Sequence, residues 1–305
     1  MSTQTPIAKP WYLSLALGAS AWLAGILMLV GFALLLDFNS PGEFTSVGIV
    51  LIGAAFVLML LAKDRDFATQ LGLCLSVAGQ CLVIAGLADG FDSPSHIALT
   101  CLLMQIVLTA AMPNRLHRSF SAFFAVIAWA FWVRIMPLGG NFDDMFWDSL
   151  ANAAVALSTG QALLWWVITW VPVTILCWVL LRQNTRKLWD DVFFPILRGL
   201  LIGLACASVL SNFGAIFGTF GHGSVAIWSL LSTALAFAAL MMSFMMQSKP
   251  LMGFCIACVF AHLVHFYFAL GTTLVEKSVL MLVIGVVCLS LQQLLKAQSR
   301  SRSAS

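Results

Sequence analysis

Charge is what this sequence has least of. Only 12 of its 305 residues are acidic and 15 basic, and they fall between long apolar runs rather than inside them. A water-soluble fold needs a polar exterior, and a chain that is 61% apolar, with a mean hydropathy of +1.00, lacks the material for one. Carboxylates are absent from the depths of every apolar run, which weakens proton- or sodium-coupled transport, since such carriers commonly rely on them. The basic residues form no continuous face, which argues against nucleic acid as a partner. Catalytic signatures are missing too: there is no G-x-S-x-G, H-E-x-x-H, Walker lysine loop or strand-borne G-x-G-x-x-G, so an ordinary hydrolase or nucleotide-driven pump is not indicated. All eight cysteines lie in apolar runs, away from aqueous loops where an oxidising compartment pairs thiols, which excludes a disulfide framework.

What is present is a succession of apolar segments near residues 11–36, 46–62, 67–87, 96–112, 119–137, 161–181, 195–216, 224–246, 250–269 and 277–294. Runs of about 20 apolar residues select helices that close their backbone hydrogen bonds internally, not barrel strands. The reading is an all-α polytopic transmembrane bundle with membrane lipid as its solvent. If the amino terminus is cytoplasmic, the inner connections collect all 15 basic residues except Arg134 and Lys277, as the positive-inside rule demands of short loops. Ten spans with both termini cytoplasmic follow, in the inner membrane of a bacterium. The first run, Trp11 to Leu36, is too long for a signal peptide and lacks a small-residue cleavage site, so it is expected to remain as a span. Residues 1–10 then form a cytoplasmic segment, 11–294 the bundle, and 295–305 a disordered basic tail.

Within this frame, Trp165, Trp166 and Trp170 are expected to anchor the outer end of the sixth span, with their indole N–H groups in the wet interface. Pro172 should kink that span. The long outer connection 138–160 has room for a surface helix capped by Asp143 or Asp144. Gln80, Gln105, Asn152 and Asn212 read most simply as hydrogen-bond formers between helices.

Two constellations stand out. Cys255, Cys258, His262 and His265 are spaced 3, 4 and 3, which puts them on one stripe of the ninth span. Thiolates and imidazoles are metal and haem ligands, but ten residues of helix separate the ends by about 15 Å, so one ion cannot take all four. The simpler reading makes the cysteines small hydrophobes and bonds each histidine to a neighbouring helix, with no metal or cofactor. The seventh span carries Gly199, Gly203, Ala207 and Ser211 at four-residue spacing, a small-residue groove for close helix approach.

Three stretches, Asp66-Phe-Ala-Thr-Gln-Leu-Gly-Leu-Cys-Leu-Ser-Val-Ala-Gly-Gln80, Met112-Pro-Asn-Arg-Leu-His-Arg118 and Phe266-Tyr-Phe-Ala-Leu-Gly-Thr-Thr-Leu-Val-Glu-Lys-Ser278, resemble the bacterial membrane family catalogued as domain of unknown function 4401. Phe268 stands where the pattern has a second Tyr. The resemblance brings no activity and no catalytic residue; it implies a small neighbouring membrane protein with a GDYXXLXY motif as partner. Thr272, Thr273, Glu276 and Lys277, gathered at the outer end of the tenth span, are the candidate partner contact, set against the plainer reading of a capped helix start.

The expected function is therefore a non-enzymatic membrane subunit that packs with another membrane protein. A carrier of an apolar or weakly polar solute, with a cavity lined by Gln80, Gln105, Asn212 or His262, is the alternative. A metal- or haem-binding redox subunit is the third.

Overall fold

The computed structural model describes residues 11–35, 40–61, 66–90, 94–135, 159–182, 189–206, 222–269 and, in pieces, 273–293. The elements are α1 (Trp11–Leu35), α2 (Pro41–Leu61), α3 (Asp66–Gly90), α4 (Pro94–Ala111), α5 (Arg115–Ile135), α6 (Thr159–Arg182), a π-helical turn (Trp189–Phe193), α7 (Phe194–Ala205), α8 (His222–Met245) and α9 (Lys249–Ala269). No strand occurs among the described residues. The fold is all-α. Pro41–Leu61, Phe67–Gly90, Arg115–Val133 and Lys249–Tyr267 are long and apolar enough to cross a membrane, and shorter apolar stretches occur at Ala16–Met28, Ser95–Ala111, Trp166–Arg182 and Leu230–Met245. Their outward faces are apolar as well: Val50 and Phe260 are each 68% exposed.

Glycine decides the closest helix approach. Gly72, Gly79 and Gly86 recur every seven residues on the face of α3 that meets α2. A Cβ on Gly79 would lie 2.6 Å from the Gly48 carbonyl oxygen, and one on Gly48 would lie 2.6 Å from the Gly79 carbonyl oxygen. The two backbones therefore touch with only hydrogens between them, a distance at which Cα–H groups meet carbonyls. α1 packs on the same helix, where a side chain at Gly25 would run into Cys74.

The second half is organised around α7. This short helix touches α5, α6, α8 and α9, and Leu197, Leu201, Leu204 and Ala205 have no exposed surface. Around it lies the main apolar core, built from Val126 and Ala130 of α5, Trp170, Val173 and Cys177 of α6, Ala239 and Met242 of α8, and Leu251 and Cys255 of α9. Trp170 is 1% exposed, and the Trp166 indole nitrogen is buried with no partner among the described residues. The interfacial anchoring expected of these two tryptophans is thus corrected. Trp166, Trp170, Val173 and Cys177 share one helical stripe, and that stripe faces the core rather than a wet rim.

α4 links the halves. It packs along α5, and Leu108 and Met112 meet Met59 and Leu73 in a smaller cluster. Its contact with α3 is narrow, and joins this apolar cluster to the Gln80–Gln105 pair.

Candidate functional site

The polar seam between α3, α4 and α5 begins with the start of α5. Asn114 accepts the Leu116 and His117 backbone N–H groups on its Oδ1, at 2.7 and 3.1 Å, and so caps the helix directly after Pro113. That start lies four residues before the one expected from hydropathy. His117 consequently sits in the first turn of α5 rather than in a connection, and it is 1% exposed.

Five side chains form one unbroken line. Gln105 Nε2 donates to Gln80 Oε1 at 2.7 Å, and Gln80 Nε2 donates to Ser76 Oγ at 3.1 Å. Ser76 Oγ lies 2.7 Å from His117 Nε2, and His117 Nδ1 lies 3.1 Å from Ser121 Oγ. In one arrangement Ser76 Oγ accepts from Gln80 and gives its own hydrogen to Nε2, and a neutral ring then donates from Nδ1 to Ser121. Every member is buried, from Ser76 with no exposure to Gln80 at 5%. Gln105 Oε1, at the far end, is buried and has no hydrogen-bond partner among the described residues. Thr109, one turn further on, spends its hydroxyl on the Gln105 carbonyl at 2.7 Å.

A second polar cluster lies where α7 stops. His262, 4% exposed in the middle of α9, hydrogen-bonds the Ala205 carbonyl through Nε2 at 2.7 Å. A carbonyl in the last turn of a helix has no intrahelical donor, so the imidazole caps that end. The Cys206 and Cys258 thiols are neighbours, as are the Cys255 thiol and Ser243. Cys255, Cys258 and His262 thus face the α7–α8 side of α9, while His265 is half-buried. No group of three or more His, Cys, Asp or Glu side chains that would hold a metal ion occurs among the described residues.

Of the small-residue groove, Gly199 and Gly203 press on α5. A Cβ at Gly199 would collide with the Ser119 carbonyl oxygen, and one at Gly203 would lie 2.8 Å from Val126. Ser119 Oγ also donates to the Pro195 carbonyl at 2.9 Å. Ala207 and Ser211 lie outside the described residues, as do Asn152, Asn212 and Thr272. Thr273 and Glu276 form a reciprocal cap: the Thr273 N–H donates to Glu276 Oε2 at 3.0 Å, and the Glu276 N–H to Thr273 Oγ1 at 3.5 Å. Lys277 places its ammonium 5.0 Å from the centre of the Tyr267 ring, a favourable position for a cation over an aromatic face.

A family model described as Domain of unknown function (DUF4401) matches residues 10–232. The chain belongs to this family. No curated protein and no solved structure matches it. The DUF4401 region holds α1 through α7 and the start of α8, and with them the whole polar seam. The ninth-helix Cys/His stripe and the Thr273 cap lie beyond it. Of the three resembling stretches, 66–80 and 112–118 fall inside the match and 266–278 outside.

Reading the sequence singled out Gln80 and Gln105 but not their common partners Ser76, His117 and Ser121. The signal was available in the Pro113-Asn114 pair, which announces a helix start. Once α5 begins at Arg115, His117 and Ser121 stand one turn apart on one face, and Ala122 and Val126 on another that meets Gly199 and Gly203.

Proposed function

We propose that this DUF4401 protein crosses a bacterial cytoplasmic membrane ten times with both ends inside, and works there as a non-enzymatic subunit that holds another membrane protein. The threading is supported by an ion pair. Arg115 binds the Asp191 carboxylate, and Arg118 donates to the Asp191 carbonyl at 2.6 Å. The connection before α5 and the turn before α7 therefore share one end of the bundle, as two intervening spans require. Their basic residues favour the cytoplasm for that end.

The outer face of α2 carries the subunit reading. Gly42, Ser46, Gly53 and Ala54 are exposed on the side away from α3, and nothing lies within 4 Å of a Cβ added at Gly42 or Gly53. A helix facing only lipid gains nothing from glycine, which costs about 1 kcal/mol in helix propensity relative to alanine. Small residues serve a helix that another helix must approach closely, as the inner glycines of the same α2–α3 pair demonstrate. The resemblance supplies the partner's description, a small membrane protein with a GDYXXLXY motif, and the exposed Thr273–Glu276 turn offers it a polar contact at the outer end.

A photo-crosslinker at position 53 of the full chain, co-produced with that small protein, is expected to give an adduct; one at Ala55, which faces α3, is not. The subunit reading is overturned if position 53 gives no adduct and mild detergent releases the chain alone. Cysteines at positions 64 and 186 should both react only from the cytoplasmic side, and reaction of either from outside overturns the threading.

A further inference from the structure

The seam has properties that holding helices together does not require. Glutamine amides exchange the roles of N and O by turning over, and hydroxyls and neutral imidazole exchange theirs by moving a hydrogen. If both amides turn, Gln80 donates to Gln105, Ser76 donates to Gln80, His117 Nε2–H donates to Ser76, and Ser121 donates to Nδ1. Every internal bond survives the reversal. What changes is the free end: Gln105 presents an acceptor oxygen in one direction and an amide N–H in the other. A buried acceptor left unpaired costs about 1–3 kcal/mol, and here the cost falls on a group 4% exposed, in the narrow contact where α4 meets α3. The two amides also argue against a proton wire, because an amide does not pass a proton along as a hydroxyl or an imidazole does. No carboxylate, lysine or arginine belongs to the line, so it has no charge with which to hold an ion.

We propose that Gln105 is the recognition point of a binding site, set in the α3–α4 seam, for a small neutral solute bearing a hydroxyl or amide group. The reversible line behind it lets the one side chain accept from a donor or donate to an acceptor, while Ser76, His117 and Ser121 keep their bonds. The site stands whether or not α2 docks a partner, since the proposed docking face is the side of α2 turned away from α3.

Accessibility tests the proposal in the full-length protein in lipid nanodiscs. Gln105→Cys is treated with the neutral reagent methyl methanethiosulfonate and with its sulfonate and trimethylammonium counterparts, and labelling is followed by mass, with native Cys177, which has no exposed surface, as internal reference. The expected result is neutral labelling at least about tenfold faster than at Cys177 and at least about tenfold faster than with either charged reagent, since neutral polar groups enter such a site at far lower desolvation cost than ions. Labelling no faster than at Cys177 overturns the site. Equal labelling by charged and neutral reagents overturns the neutral class, because it indicates an ion-accessible channel. Should Gln105→Cys fail to fold, Thr109→Cys, one turn along the same face, is read by the same criteria.

Discussion

The two buried histidines of this bundle solve the same problem in different ways. His117, inside the DUF4401 region, meets a side-chain hydroxyl at each ring nitrogen, one from α3 and one from its own helix. His262, beyond that region, bonds through Nε2 to a backbone carbonyl. A carbonyl can only accept, so Nε2 of His262 must carry the hydrogen and its tautomer is fixed. Hydroxyls accept or donate, so either tautomer of His117 is satisfied. One ring fastens a helix end, and the other belongs to a line that can be rearranged without loss. The same buried imidazole is therefore a staple or an adjustable joint according to whether its partner is main chain or side chain.

The strongest way to break this comparison is to disturb both histidines together. Gly199 lies against the Ser119 carbonyl, two residues after His117, and belongs to the helix whose end His262 caps. Gly199→Leu forces α7 away from α5 and should cost about 3 kcal/mol or more, at the upper end of overpacking effects. Urea denaturation of the purified protein in mild detergent measures it, and an unaltered midpoint would show that α7 does not depend on this contact.

Next in size comes His117→Leu, which strands the Ser76 and Ser121 hydroxyls in a dry interior. The expected loss is about 2–3 kcal/mol, from unsatisfied buried groups together with altered packing. His262→Leu leaves one carbonyl uncapped and should cost about 1 kcal/mol. A larger loss at His262 than at His117 would reverse the ranking of staple and joint. A double-mutant cycle between Ser76→Ala and His117→Leu sharpens the point: a coupling of about 1 kcal/mol is expected for side chains bonded within one line, whereas additivity would mean that the line does not act as a unit.

Much of the bundle could be read from residue order, and the gaps have physical causes. The apolar runs specify helices because each is long enough to close its own hydrogen bonds. Gln80 and Gln105 announced themselves as polar groups in apolar company, and Thr273 and Glu276 as a capping pair. His117 escaped notice because it stands between Leu116 and Arg118 in a stretch that reads as a polar connection; a hydropathy average cannot see that Asn114 starts a helix there. Gly72, Gly79 and Gly86 were hidden by the opposite effect, since a seven-residue glycine spacing carries no hydropathy signal and matters only once α2 lies against it. Trp166 and Trp170 misled because indole rings favour interfaces in general, while their four-residue spacing, continued by Val173 and Cys177, points into the core. The orphan oxygen of Gln105 is a property of three helices at once, and no local reading of α4 contains it.

The smallest expected effect separates two arginines at the rim of the bundle, where the start of α5 and hence the place of His117 are set. Arg115 pairs with Asp191 in the open, with 64% and 65% of their side chains exposed, so Arg115→Ala should cost less than about 1 kcal/mol and the loss should shrink as salt is added. Arg118 instead bridges two main-chain carbonyls, Met112 at 2.7 Å and Asp191 at 2.6 Å, tying the turn before α5 to the turn before α7. Arg118→Lys keeps the charge but not the planar fork that reaches both oxygens. It should therefore destabilise more than Arg115→Ala, by about 1 kcal/mol, with little dependence on salt. If the two substitutions prove equal and equally salt-sensitive, simple charge attraction, rather than a bridged backbone, holds the rim from which the His117 seam descends.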